Sequence, residues 1–120
     1  MANPLKAQID IRLAGNDYKV RLTIDAIIQI EEKLNCGILK LITRIADSDV
    51  RMKDLIGVLT PALRGGGNDM TDKEVKKIVG DAGIINTTKV VAELLAQSLQ
   101  VEDEEDEEGE KKKEEETLLE

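Results

Sequence analysis

The sequence predicts an α+β fold, in which an N-terminal two-stranded β-hairpin is followed by about five short helices in one mostly helical domain. The first observation is that apolar and charged residues alternate at both ends of residues 9–22, as they do in strands with one buried face. The second is that apolar residues recur every three or four positions over much of residues 23–99, as on the buried side of a helix. The third is that this pattern ends after Val101. Since a chain of 120 residues is ordinarily one domain, we predict a globular domain over residues 1–101 and a tail over residues 102–120.

The tail differs from the domain in its charge. Residues 102–120 contain twelve acids and three lysines, a net charge of −9, whereas residues 1–101 carry thirteen acids and fourteen bases, a net charge of +1. Residues 102–116 include no apolar side chain, so they cannot bury enough surface to offset the entropy lost on ordering. We expect a disordered acidic tail that keeps the chain soluble or contacts a basic segment of a partner.

The composition argues against an enzyme. The chain has no His, Trp or Phe, one Tyr and one Cys, which is Cys36. Histidine is the usual general base and a common metal ligand, and a lone cysteine can neither close an intrachain disulfide nor build a cysteine cluster around a metal. Glu31 and Glu32 are adjacent rather than one helical turn apart, so they do not converge as a two-acid mechanism requires. We expect no catalytic residue, no metal site and no cofactor.

The hairpin is predicted from two alternating segments. Apolar residues occupy every second position of residues 9–13 and again of residues 18–22, with charged residues between them. The residues that join the two segments, Ala14-Gly15-Asn16-Asp17, are typical of a turn. Because an isolated hairpin is marginally stable in water, we expect the helices to cover its apolar face.

Two helices are predicted next. The first follows Thr23, a favoured N-cap residue, and ends at Asn35-Cys36-Gly37, where we expect Gly37 to be the left-handed residue that stops the helix. The second covers Ile38 to about Ala46, because its apolar residues fall on one stripe.

A third helix is predicted from Asp54 to Arg64, and it contains Pro61. Proline in a helix interior costs about 3 kcal/mol. The residue four positions earlier is Gly57, whose missing Cβ lets the backbone bend away, so we expect one helix with a kinked or tightened last turn. The glycines that follow, residues 65–67, lack the spacing of a phosphate-binding loop, and we interpret them as a flexible connector.

The fourth and fifth helices complete the domain. Thr71 and Glu74 have the spacing of a capping box, which predicts a helix from Asp72 to about Val79. The fifth helix is predicted from Thr87 to about Leu99.

The last helix carries the candidate partner-binding residues. An apolar stripe of this kind is more often core than interface. However, five helices and a hairpin carry more aliphatic surface than one layer can hide, so we predict an apolar surface for a partner or for self-association. The predicted residues are Val90, Val91, Leu94, Leu95 and Leu99.

Several segments, taken in order, resemble a known family. They are the N-terminal MANP, the charged hairpin, TIDAIIQIEEK at residues 23–33, GIL at residues 37–39, DVRMKDLIGVL at residues 49–59, ALRG at residues 62–65 and the helix start at Thr71–Glu74. Over about residues 2–100 the chain resembles the gene transfer agent and siphophage tail-assembly proteins. The matching features are helix starts and apolar patterns, and none of them is a catalytic motif.

This resemblance implies a non-enzymatic role in assembling a phage or gene-transfer-agent tail. The function it implies is that of a tail-assembly chaperone, which binds the tape-measure protein and tail tube subunits. A structural tail tube component is the alternative, and a host adaptor or regulatory module whose acidic tail binds a partner is the alternative from another class. We expect a location in the bacterial cytoplasm, with association with the virion as a variant. We also expect no nucleic-acid or membrane partner, while a homo-oligomer stays open.

Overall fold

Two strands and five helices follow one another in the computed structural model, which describes residues 8–99 of the chain. The strands are β1 (Ile9–Leu13) and β2 (Asn16–Val20), and the helices are α1 (Ile24–Leu34), α2 (Ile38–Ala46), α3 (Met52–Gly65), α4 (Asp72–Ala82) and α5 (Ile84–Leu99). The predicted fold class, a mostly helical α+β fold with an N-terminal hairpin and five helices, is confirmed. The predicted acidic tail over residues 102–120 lies outside the described residues.

The hairpin is tighter than the sequence predicts. β1 and β2 pair antiparallel, with Leu13 opposite Asn16, so the turn consists of Ala14 and Gly15 alone. Both turn residues have left-handed backbones, with φ of 53° and 80°, which is the geometry that joins two strands through two residues. The prediction that Asn16 and Asp17 belong to the turn is therefore wrong, because both lie in β2.

The second strand also ends two residues earlier than predicted. It ends at Val20, because the backbone N–H of Arg21 leaves the hairpin and donates to the carbonyl of Ala62 in α3 at 2.9 Å. The asparagine after α3, Asn68, donates from Nδ2 to the carbonyl of Lys19 at 2.7 Å. The outer edge of β2 is thus held against the end of α3.

The ends of α1 show one prediction confirmed and one corrected. Thr23 is the N-cap, and its hydroxyl accepts a backbone N–H at 3.0 Å. The left-handed residue at the other end is Asn35, with φ of 53°, and not Gly37, since asparagine also tolerates this conformation. Gly37 is instead the extended N-cap of α2. Since glycine offers no side-chain cap, Glu31 replaces it and accepts the N–H of Ile38 at 3.0 Å.

The central helix is α3, which packs against α1, α4, α5 and β2. It begins at Met52, two positions before the predicted start, because Asp54 acts from inside the first turn: its carboxylate accepts the backbone N–H of Arg51 at 2.9 Å. All residues from Asp54 to Leu63 are buried. Pro61 lies within this continuous helix, so the prediction of one helix rather than two is confirmed.

Two glycines fix how α3 meets the hairpin. A Cβ on Gly65 would clash with the carbonyl oxygen of Arg21, and a Cβ on Gly66 would clash with the carbonyl oxygen of Lys19. The prediction of a flexible connector is wrong for both, because Gly65 is the last residue of α3 and both glycines allow close backbone packing.

The last two helices are longer than predicted. The capping box is confirmed, because the Thr71 hydroxyl accepts the N–H of Glu74 at 3.2 Å and the Glu74 carboxylate accepts the N–H of Thr71 at 2.9 Å. α4 continues through Gly80 to Ala82, and Gly83, with φ of 89°, separates it from α5. One aliphatic core joins all seven elements, and α3 contributes the largest share of it.

Candidate protein-interaction surface

The five predicted partner-binding residues lie on the inner side of α5. Val91, Leu94 and Leu95 are at most 2% exposed. Val90 and Leu99 are half-buried and pack against the same core. This stripe faces the domain itself, where α5 packs against β1, α2, α3 and α4. Contact of these residues with a partner is not tested by their burial and stays a prediction.

Other apolar side chains reach the solvent, and the sequence pattern did not indicate that they form a surface. The large exposed ones are Ile24, Ile28, Leu39, Met52, Ile84 and Ile85. Leu39 is 74% exposed and Ile85 is 73% exposed. In α1 the available signal was the width of the apolar stripe, because isoleucines at positions 24, 27, 28 and 30 extend too far around the helix for a single packing face.

One exposed group lies at the corner where α4 meets α5. Ile84 and Ile85 begin α5 and lie beside Val50, and we call these three residues the corner patch. They border a shallow groove of about 340 Å³ together with Ser48, Thr88 and Lys89. An apolar patch with polar residues around it is typical of a protein contact rather than of a small-molecule site.

A second groove lies where the end of α1 meets the starts of α3 and α4, and its volume is about 380 Å³. Its apolar residues are Leu34, Met52, Ile56 and Gly57, and its charged residues are Lys33, Lys53, Lys76 and Asp72. We call it the lysine groove. It combines an apolar floor with an excess of positive charge, so it suits an apolar segment that carries acidic residues.

The charges of the lysine groove are not equivalent. Lys33 donates to both carboxylate oxygens of Asp72 at 3.0 Å, and this hydrogen bond lowers the pKa of Asp72 below its ordinary value. Within residues 8–99, neither Lys53 nor Lys76 forms an ion pair with a carboxylate. Two of the three ammonium groups are therefore available to an acidic ligand from outside the described fold.

A partly buried ion pair fixes α3 relative to α2. Arg44 donates to Asp54 at 2.7 Å and 3.4 Å, and it also contacts Asp49 at 3.4 Å. The hydrogen bond to Asp54 raises the pKa of Arg44 further above its already high ordinary value. Asp54 is only 3% exposed, and the same carboxylate caps the first turn of α3. The start of α3, which forms one wall of the lysine groove, is thereby held in place.

The described part of the chain offers no constellation for metal chemistry. Within residues 8–99, no three His, Cys, Asp or Glu side chains are placed to hold a metal ion. Cys36 is half-buried in the turn between α1 and α2. None of the helices in the same residues is long and apolar enough to cross a membrane.

Comparison with known proteins decides the family. Residues 6–101 match the family model described as phage tail tube protein, GTA-gp10. The chain belongs to this tail tube family. The resemblance to gene transfer agent and siphophage tail proteins is confirmed at that level, since the matched family is one of phage and gene-transfer-agent tails. No curated protein and no solved structure matches the chain.

Membership in the tail tube family gives the exposed surfaces a context. The description of the family is that of a structural part of the tail, which implies assembly with other tail proteins. The match covers both the corner patch and the lysine groove, so both belong to the part of the chain that defines the family. Residues 102–120 lie outside the matched range.

Proposed function

We propose that this chain is a structural component of a phage or gene-transfer-agent tail tube. The observation that carries the proposal is the match of residues 6–101 to the tail tube family, which covers most of the 120 residues. In this role the chain is made in the bacterial cell and stays in the finished particle. It catalyses no reaction and contributes surface that other tail subunits bury.

The exposed apolar residues support this role. Burial of apolar surface stabilises an interface by roughly 25 cal/mol for each Å² removed from water. Ile85 and Leu39, both more than 70% exposed, offer this gain only when another chain covers them. We propose that the corner patch is one of the contacts between this chain and a neighbouring tail subunit.

Immuno-electron microscopy of purified particles tests this proposal. Antibody raised against the chain is applied to particles from producing cells and to particles from cells that lack the gene. We expect label along the tail of the first set and none on the second. Label that is absent from particles, while the protein is abundant in the cell extract, would contradict a structural role.

A second candidate is a tail-assembly chaperone that holds the tape-measure protein soluble before the tube forms around it. The observation that favours it is the lysine groove, whose apolar floor and free lysines suit an amphipathic helix with acidic residues. Such a protein binds during assembly and then leaves.

Co-expression distinguishes the two candidates. The tape-measure protein is produced alone, with this chain, and with a Met52→Glu variant whose substitution places a charge among the apolar groove residues. A chaperone raises the soluble fraction of the tape-measure protein, and the variant raises it less. An unchanged soluble fraction would exclude the chaperone role and leave the structural one standing.

A further inference from the structure

The lysine groove has an apolar floor and an unbalanced charge. Met52 is 45% exposed at the start of α3, and Ile56 lies one turn further along. Lys53 and Lys76 border this floor, and neither is paired with a carboxylate among residues 8–99. A suitable occupant therefore supplies a few aliphatic side chains beside several carboxylates.

The floor is fixed in shape by the close packing of α1 on α3. A Cβ on Gly57 would lie 2.8 Å from Leu34 Cδ2, so the Leu34 side chain of α1 packs directly over this glycine of α3. The N-terminal turn of α3 is fixed by the carboxylate of Asp54, which Arg44 holds at 2.7 Å. The groove is consequently preformed, which reduces the free energy spent on ordering it when a ligand binds.

The chain itself contains a segment with the matching chemistry. Residues 114–119 read Glu-Glu-Glu-Thr-Leu-Leu, so three acids stand directly before two leucines. Leu118 and Leu119 are the only aliphatic residues after Val101. The segment thus complements the groove in two ways: the two leucines match its apolar floor, and the glutamates match its lysines.

The connection is long enough for an intramolecular contact. Leu118 lies 19 positions after Leu99, the last described residue. A chain of that length spans up to about 60 Å when extended, at roughly 3.3 Å per residue. That reach exceeds the diameter of a small domain, about 30 Å. A tethered segment also acts at an effective concentration in the millimolar range, so weak contacts suffice to hold it.

We propose that residues 114–119 of the chain dock in its own lysine groove, with Leu118 and Leu119 on the apolar floor and the glutamates beside Lys53 and Lys76. This inference does not depend on the tail tube role. It gives the acidic tail a position on the domain and makes it a competitor for any acidic, apolar segment that uses the same groove. A tail partner that binds there has to displace the tail.

Paramagnetic relaxation enhancement in the full-length chain tests the docking. The variant combines Cys36→Ser, which removes the only cysteine, with Thr117→Cys. A nitroxide is attached to the new thiol at position 117, next to the two leucines. Amide signals of Met52, Lys53 and Lys76 are compared with those of Gly66 at the far end of α3, about 20 Å away along the helix axis. We expect the groove amides to lose intensity and the Gly66 amide to keep it.

Matched variants show whether the contact has the proposed chemistry. The double substitution Leu118→Ser with Leu119→Ser is expected to abolish the intensity loss. Lys76→Glu is expected to weaken it, whereas Lys77→Glu, an equal charge change at an exposed position of α4 outside the groove, is expected to leave it unchanged. Raising the salt from 0.1 M to 1 M shortens the Debye length from about 10 Å to about 3 Å, so it is expected to weaken the contact.

Three results would overturn the proposal. Equal intensity loss over the whole domain means that the tail has no preferred position. Equal effects of Lys76→Glu and Lys77→Glu mean that general charge, rather than the groove, holds the tail. Intensity loss that appears at full strength between a spin-labelled chain and a separate isotope-labelled chain means that the occupant is a second copy. The proposal stands if the loss is intramolecular, confined to the groove and dependent on the two leucines.

Discussion

Gly66 and Gly80 are expected to respond in opposite ways to substitution with alanine: one variant loses stability and the other gains it. Gly66 lies against the backbone of Lys19, where a Cβ would clash, whereas a Cβ on Gly80 meets nothing within 4 Å. We expect Gly66→Ala to destabilise the fold by about 1–3 kcal/mol, since the neighbouring backbone has to shift. Gly80→Ala, within α4, is expected to stabilise it by about 0.5–1 kcal/mol.

Urea denaturation of both variants measures these effects. The two substitutions add the same methyl group, so each serves as the control for the other. Equal changes in the free energy of unfolding would contradict the close packing of α3 on β2.

The buried carboxylate of Asp54 forms hydrogen bonds with two parts of the structure. It caps α3 and accepts from Arg44 of α2. We expect Asp54→Ala to destabilise the fold by about 1–3 kcal/mol through the lost cap and the unsatisfied donors. Asp49→Ala removes the other, exposed partner of Arg44, and its effect is expected to stay within about 0.5 kcal/mol. Thermal unfolding of the two variants under one buffer condition compares them, and a larger loss for Asp49→Ala would refute this account.

Helix α5 has one side that packs in the core and another that is exposed to solvent. Leu94 is fully buried and Ile85 is 73% exposed on the same helix. We expect Leu94→Ala to cost about 2–5 kcal/mol of stability, because it leaves a cavity in the core. Ile85→Ser is expected to change stability by less than about 0.5 kcal/mol and to reduce incorporation of the chain into tails. Unfolding followed by circular dichroism measures the stability of both variants. The yield of Ile85→Ser in purified particles measures its incorporation. Normal incorporation of Ile85→Ser would remove the corner patch from the assembly contacts.

The link between α1 and α4 depends on pH. The hydrogen bond from Lys33 lowers the pKa of Asp72 below its ordinary value of 3.8. Because the pKa of Asp72 is lowered in the folded state, the contribution of the Lys33–Asp72 ion pair to stability is fully present above pH 3.8. This contribution is lost as the pH falls through the folded pKa. Since both side chains are more than 40% exposed, the contribution is expected to be below about 1 kcal/mol.

The Asp72→Asn variant tests this link by urea denaturation at several pH values. Its stability is expected to lie slightly below that of the parent chain at pH 6 and to converge with it as the pH falls below 3.8. A difference that grows as the solution becomes more acidic would contradict the sign of the shift.

The sequence could predict those features of the helices that depend on residues close together in the chain. The capping box of Thr71 and Glu74 and the N-cap at Thr23 involve neighbouring residues, and both are present in the structure. The left-handed end of α1 was assigned to the wrong residue, because asparagine and glycine both accept that conformation and the choice depends on how α2 begins. The packing role of Gly65 and Gly66 depends on β2, which is more than 40 positions away along the chain, so no local pattern reveals it.

For the whole molecule, composition and periodicity predict the fold class correctly, whereas the predicted partner surface on α5 stays a prediction. The α5 stripe was predicted as a partner surface because the helices and the hairpin carry more aliphatic surface than one layer can hide. Such a stripe is also what a core requires, and three of its five residues are buried. The exposed corner patch and the lysine groove arise where separate elements meet. Their location follows from the packing of helices, which periodicity alone does not specify.

The chain belongs to a phage tail tube family, so the finished particle is where the proposed structural role can be tested. A structural component is retained in a fixed ratio to its neighbours, whereas an assembly factor is released. The two roles thus differ in the composition of the finished particle and not in the fold of the chain.

The most direct measurement is quantitative mass spectrometry of purified particles, with isotope-labelled peptides from this chain and from the most abundant tail protein as internal standards. We expect the chain to be present in a constant ratio to that protein across preparations, and we expect the ratio to survive washing at high salt. A chain that is abundant in the producing cells but falls to trace amounts in washed particles would contradict its assignment as a structural tail component.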